Sequence, residues 1–307
     1  MKKKKWWKIL LILVGVVLAV DIAATFYFFN VSQVRNNKVP GQVSKSSKNY
    51  NLVQKFDQLS KSTESLTNHG VKLIAWYVPA AVKTDKTVVV VHGYRSNKEA
   101  MRQYGELFHE LGYNVLMPDN RGAGASGGNL ISYGYWDKFD IIAWTQKLVA
   151  ANPQSRITLF GVSMGGATVM MASGEASLPV NVKDIIEDCG YTNVWDETAY
   201  QAKQMYNLPK FPLIYEVSAM SKIRAGWSYG EASSTKELAK NIRPMLFIHG
   251  GSDSYVPTYM VYQNYAADPD SQKQLLVVPK AIHAKSFETD PTLYRKTVTE
   301  FLGKYAD

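Results

Sequence analysis

The pattern of hydrophobic and polar positions divides the chain into three stretches. Residues 9–29 are apolar except at Asp21 and Thr25. Roughly 20 apolar residues cross a bilayer as a helix, since no water is present there to satisfy an open backbone. A transmembrane segment is therefore predicted over 9–29. Residues 30–50 are polar and rich in Ser, Asn and Lys, which predicts a stalk. From residue 51 to 307 strand-like and helix-like segments alternate.

In this third stretch Val71–Val78 alternates polar and apolar positions, as a half-exposed strand does. Residues 87–91 are apolar and β-branched after Thr87, the mark of a strand covered on both faces. Over 97–111, Met101, Tyr104, Leu107, Phe108 and Leu111 recur at helical spacing, and Gly112 stops the helix. Further strands are predicted at 114–117, 156–160, 182–187, 244–248 and 274–278, and helices at 135–151, 164–174 and 291–305. The alternation implies an α/β fold with a mostly parallel sheet and helices on both faces. Residues 192–235 break the alternation and carry Trp195, Tyr200, Tyr206, Phe211, Tyr215 and Trp227. This insertion is expected either to cap a pocket or to pack a helical pair on the core.

Charge sharpens the division. The formal net charge is +9, and residues 1–50 hold nine basic residues against Asp21 alone, a net of +8. The remaining 257 residues carry +1, so a basic pI says nothing about nucleic acid, and no nucleic-acid partner is expected. Lys2, Lys3, Lys4, Lys5 and Lys8 precede the apolar run. They place residues 1–8 in the cytoplasm and the globular domain outside it. The run ends in Phe26-Tyr27-Phe28-Phe29 with no clean small-x-small site, which favours an uncleaved signal anchor. Secretion after cleavage is the alternative. Cys189 is the single cysteine, which excludes an intrachain disulfide framework and a thiolate metal cluster. It is expected to be a small core residue.

The sharpest chemical signal is Gly161-Val162-Ser163-Met164-Gly165, directly after one predicted strand and opening a helix. In that context the serine sits on a sharp turn, and the glycines Gly161 and Gly165 remove side chains that would collide there. Ser163 then projects at the carboxyl end of the sheet, where open α/β folds bind ligands. A serine hydroxyl needs an adjacent base. Of five histidines, His69 and His109 lie far upstream, and His92 and His249 end strands. His283, in the loop after 274–278, is the expected general base and acid. The acid that orients it should follow a strand between Ser163 and His283. Asp253 fits best, with Asp188 and Asp196 as rivals, while Asp268 and Asp270 read as turn acids. The backbone N–H groups of Met164 and Tyr94 are the expected oxyanion donors.

The order His92-Gly93, Asp119-Asn120-Arg121-Gly122-Ala123-Gly124-Ala125-Ser126, Gly161-x-Ser163-x-Gly165, Asp253, His283 resembles the α/β-hydrolase superfamily over about residues 70–305. Within it the chain looks like the bacterial serine esterase- and peptidase-like hydrolases with a short helical cap. The resemblance implies a Ser–Asp–His triad with no metal and no organic cofactor, and a mostly structural role for Arg121 and Ser126. A serine at the elbow departs from the dehalogenase and epoxide-hydrolase branches, which use aspartate there.

These readings lead to a membrane-anchored serine hydrolase acting on a small acyl ester or peptide-like substrate. A serine peptidase, an acyltransferase and a catalytically silent binding protein of the same fold are the alternatives.

Overall fold

The computed structural model describes residues 2–35 and 43–306. In chain order the elements are helices α1 (Lys2–Gln33) and α2 (Tyr50–Gln58), then strands β1 (Ser62–Asn68), β2 (Val71–Val78) and β3 (Lys86–Val91). A single 3-10 turn leads into α3 (Arg102–Glu110), followed by β4 (Asn114–Pro118), α4 (Tyr135–Ala151), β5 (Arg156–Val162), α5 (Met164–Ser173) and β6 (Val182–Asp188). The insertion holds α6 (Val194–Tyr206), α7 (Leu213–Ala225) and the short α8 (Ser234–Leu238). The chain closes with β7 (Met245–Gly250), α9 (Tyr259–Ala267), β8 (Lys273–Val278), a short α10 (Ser286–Thr289) and α11 (Pro291–Tyr305).

The eight strands form one sheet in the order β1-β2-β4-β3-β5-β6-β7-β8. Only the β1/β2 and β2/β4 pairs are antiparallel. The all-valine run of β3 lies centrally and is fully buried on both faces, as its lack of alternation predicts. One face is filled by Phe56, Tyr104, Phe108 and Phe301 from α2, α3 and α11. The other is filled by Ile141, Trp144, Val169 and Val261 from α4, α5 and α9. A third apolar cluster lies under the insertion and includes Phe29, Met164, Leu213, Trp227 and Tyr229.

The register of the parallel strands positions the site. Val91 pairs with Gly161, Val162 with Asp188, Asp188 with Ile248, and Gly250 with Val278. The carboxyl ends of five strands therefore lie abreast, and the loops that leave them converge along one rim.

Strand β1 and helices α2, α9 and α10 are not predicted by the hydrophobic pattern. Strand β1, Ser-Thr-Glu-Ser-Leu-Thr-Asn, sits at the sheet edge with nearly every position exposed or half-buried, so it has no apolar alternation to read. His69 and Gly70, both at positive φ, close its two-residue hairpin to β2. The predicted stalk also differs from the structure at both ends. Residues 30–33 continue α1, and Gln33 is fully buried. Residues 50–58 form α2, which buries Leu52, Val53 and Phe56. Residues 36–42 of that stalk lie outside the described residues, as do Met1 and Asp307.

Helix α1 is long and apolar enough to cross a membrane. Residues 6–20 are exposed, whereas from Asp21 onward one side of the helix packs on the domain and buries Thr25, Phe29 and Gln33.

Candidate active site

The turn from β5 into α5 carries Ser163 at φ 58 and ψ −120. A β-carbon at Gly161 would lie 2.1 Å from the Gly165 carbonyl oxygen, and one at Gly165 would lie 2.1 Å from the Val91 carbonyl oxygen. Only glycine fits at either position, since real β-carbons do not approach backbone that closely. The Ser163 N–H donates to the Asp188 carbonyl at 2.7 Å, and its own carbonyl accepts from Ala167 at 2.9 Å. The strained backbone is thus held from both sides. Gly93, after β3, also packs against the elbow: a β-carbon there would lie 3.2 Å from the Val162 carbonyl oxygen and 3.3 Å from Ser163 Cβ.

Asp253 follows β7 in a turn built by its own carboxylate. Oδ1 accepts the N–H groups of Tyr255 at 2.9 Å and Val256 at 3.0 Å, which aims Oδ2 at the rim. His283 follows β8, and the two loops are tied by the Ser252 N–H donating to the Ala281 carbonyl at 2.9 Å. His283 Nδ1 lies 2.8 Å from Asp253 Oδ2, and Nε2 lies 2.9 Å from Ser163 Oγ. An ionised carboxylate only accepts, so Nδ1 carries the proton and Nε2 is left to accept from the serine hydroxyl. The Asp253 side chain is fully buried, whereas that of His283 is 21% exposed. Burial alone would raise the Asp253 carboxyl, but hydrogen bonds from His249 and His283 outweigh it and hold it at about 2. Tyr255 covers His283, with ring centroids 4.9 Å apart.

The structure therefore brings Ser163, Asp253 and His283 together. Of the rivals, Asp188 accepts from Tyr294 Oη at 2.9 Å, and Asp196 accepts from the Asn193 amide at 2.7 Å at the start of α6. Met164 opens α5 directly after the serine, and Tyr94 lines the same cavity. The loop 119–126 is held by ion pairs: Lys98 with Asp119, and Arg121 with Asp140 in a bidentate pair at 2.7 and 2.6 Å.

Two histidines set aside as strand ends hold the rim in place. His92 Nε2 accepts the Asn120 N–H at 2.9 Å, so Nδ1–H donates to the Gly93 carbonyl at 2.8 Å and pins the loop beside Ser163. His249 Nε2–H donates to the Val256 carbonyl at 2.9 Å and lies 3.4 Å from Asp253 Oδ2. It gives the acid a second cationic or hydrogen-bonding neighbour. Cys189 Sγ, Asp253 and His283 offer ligand atoms within 4.8 Å of one another. Burial, with Asp188 nearby, pushes the Cys189 thiol well up.

In front of Ser163 lies a cavity of about 270 Å³. Its walls come from the insertion and, beyond anything the sequence suggested, from α1: Phe28, Val31 and Ser32 line it. The last carbonyls of α1 have no partner within the helix. The Ser32 carbonyl accepts from both Tyr94 Oη and Tyr133 Oη at 2.7 Å, the Val31 carbonyl from Arg95, and the Gln33 carbonyl from the Ile131 N–H at 2.7 Å. The Tyr94 and Tyr133 rings stack with centroids 5.3 Å apart.

The fold is the α/β-hydrolase fold, and the chain is similar to esterase- and peptidase-like proteins that share it. Residues 82–187 match the serine aminopeptidase S33 family. An uncharacterized protein of Bacillus subtilis, YqkD, is 29% identical over 98% of this chain and 99% of its own length. A Bacillus subtilis carboxylesterase is 22% identical over 72% of this chain and 93% of its own. Among solved structures, an esterase of Pyrococcus furiosus superposes with a TM-score of 0.66 at 23% identity, covering 88% of this chain and 98% of the esterase. The acylaminoacyl peptidase of Pyrococcus horikoshii gives 0.60 at 19% identity, covering 84% of this chain and 44% of that one.

Proposed function

We propose that this chain is a membrane-anchored serine hydrolase that cleaves carboxylic esters or related acyl groups through an acyl-enzyme intermediate. The observation that carries the reading is the position of the His283 ring, 2.9 Å from Ser163 Oγ and 2.8 Å from Asp253 Oδ2. Nε2 takes the Ser163 proton as Oγ bonds to the acyl carbon, and the same proton then goes to the departing alcohol. Water repeats the sequence in reverse: His283 takes its proton, the acyl–oxygen bond to Ser163 breaks, and the acid leaves. Asp253 fixes the tautomer and stabilises the imidazolium, and the Tyr94 and Met164 N–H groups receive the oxyanion.

A peptidase on the same three residues is the second reading, favoured by the family match. An aminopeptidase needs an anion for the substrate ammonium. Glu197 lines the cavity, but burial pushes its carboxyl up to about 8, which disfavours the ionised form that would pair with an ammonium. That favours esters.

Retention of α1 as an anchor is supported by its end, where the domain's side chains satisfy the last carbonyls. The lysines before the apolar run orient it with the hydrolase outside the cytoplasm.

A fluorophosphonate probe is expected to label Ser163 in membranes. Ser163→Ala is expected to remove labelling and at least about a thousandfold of p-nitrophenyl butyrate hydrolysis. Undiminished hydrolysis by that variant rejects the assignment. N-terminal sequencing of the membrane fraction is expected to find residue 1 or 2, and a chain beginning near residue 25 shows cleavage instead.

A further inference from the structure

Helix α1 is too short to do its two jobs separately. Residues 9–20, the apolar part that is exposed all round, rise only about 18 Å at 1.5 Å per residue, against a hydrocarbon core of about 30 Å. About twenty residues counted from Ile9 reach Phe28. By then the helix has packed on α7, where Thr25 Oγ1 donates to Glu216 Oε2 at 2.8 Å, and Phe28 meets Tyr206 of α6 at 5.1 Å between rings. A helix that spans the bilayer must therefore draw the surfaces flanking it on α6 and α7 into the membrane face. Those surfaces suit that place. Met205, Phe211 and Ile223 are 63%, 72% and 84% exposed. Their apolar area leaves water when that face enters the membrane.

The same stretch of α1 walls the cavity. Phe28 and Val31 line it together with Met205, Tyr206, Leu213, Val217 and Ser163. At about 270 Å³ it is near the small end of ligand pockets, which run roughly 300–1,000 Å³. It suits one slender apolar chain.

We propose that the cavity is an acyl-chain site beside the bilayer, and that the substrate is an amphiphilic ester of the membrane whose chain lies against Phe28 and Val31 of α1 with its carbonyl at Ser163. Helix α1 is then anchor and specificity wall at once. The inference rests on the proposed hydrolase reading, and its chemistry is the same two acyl-transfer steps.

The test uses the full chain in phosphatidylcholine vesicles, with p-nitrophenyl dodecanoate and acetate as substrates. Val31→Trp, which fills the cavity from α1, is expected to lower the dodecanoate-to-acetate ratio of kcat/KM at least tenfold. Val31→Ala, which widens it, is expected to move the chain-length optimum upward. Unchanged ratios in both variants overturn the acyl site. Phe211→Ser with Ile223→Ser is expected to slow vesicle-borne dodecanoate about fivefold and leave acetate within twofold; equal rates on dodecanoate overturn entry from the membrane. A binding arm separates this inference from the reading beneath it. Dansyl-undecanoic acid is expected to bind Ser163→Ala, and adding Val31→Trp is expected to weaken that binding tenfold. Probe binding with that loss, in a chain that cleaves neither ester, fails the hydrolase reading and keeps the acyl site. Ser163-dependent acetate cleavage without any effect of Val31 fails the acyl site alone.

Discussion

At the rim of the sheet, Ser163, Asp253 and His283 each leave the end of a different parallel strand, and strand register brings those ends abreast. Across the cavity, Phe28, Val31 and Ser32 come from a helix outside the sheet, whose last carbonyls are held by side chains. The rim is fixed by backbone geometry that tolerates no added atom, and the wall by side-chain hydrogen bonds and the burial of Phe29 and Gln33. The first arrangement suits chemistry, which needs reacting atoms placed within a fraction of an ångström. The second suits a surface that must adapt to different chains.

Four measurements press on that contrast, beginning at the rim. Asp253→Asn keeps the shape but favours the wrong histidine tautomer, and kcat is expected to fall about ten-thousandfold. A loss below tenfold would mean that the acid does not orient His283. Gly165→Ala drives a β-carbon into the Val91 carbonyl and is expected to cost more than about 3 kcal/mol of stability in urea unfolding. A neutral result would mean that the rim yields as the wall does.

The third measurement is a pH profile. Burial raises Glu187, which accepts the Gly190 N–H at 2.8 Å behind the elbow, from 4.5 to about 8. The native state therefore binds a proton that the unfolded chain has released. This contribution is complete below pH 4.5 and is lost as pH rises through about 8. Glu187→Gln, which cannot titrate, is expected to flatten the decline in stability across that window by on the order of 5 kcal/mol. An unchanged slope would assign the decline to other groups. Smallest is the effect at the wall. Tyr94→Phe with Tyr133→Phe removes both donors to the Ser32 carbonyl and is expected to cost roughly 1–3 kcal/mol. Loosened α1, read as faster amide exchange over residues 25–33, is expected to accompany it. Unaltered exchange there would give the wall some stronger fastening.

Legibility followed the strength of the local physics. The burial of β3 and the helical face of Tyr104, Leu107 and Phe108 were readable because burial imposes its period on the residues themselves. The elbow was readable because Gly161 and Gly165 are steric necessities of the turn around Ser163. Strand β1 was not, since an exposed edge strand has no face to fill. Residues 30–33 looked like a linker because Asn30, Ser32 and Gln33 are polar. Gln33 is buried with partners far away in the chain, Tyr229 at 3.1 Å and Ser221 at 3.0 Å. His249 gave no signal either: its value lies in being 3.4 Å from Asp253, a relation made by the turn after β7.

The amino-acid pattern by itself determined which segments become buried strands, where a turn too tight for any side chain but glycine lies, and that the first helix is apolar enough for a bilayer. These are matters of near neighbours and solvent. That α1 ends as a wall of the cavity over Ser163 was decided only in three dimensions. The partners of its last carbonyls, Arg95, Tyr94, Tyr133 and Ile131, lie about sixty to a hundred residues along the chain, and only the packed fold brings them to the helix end.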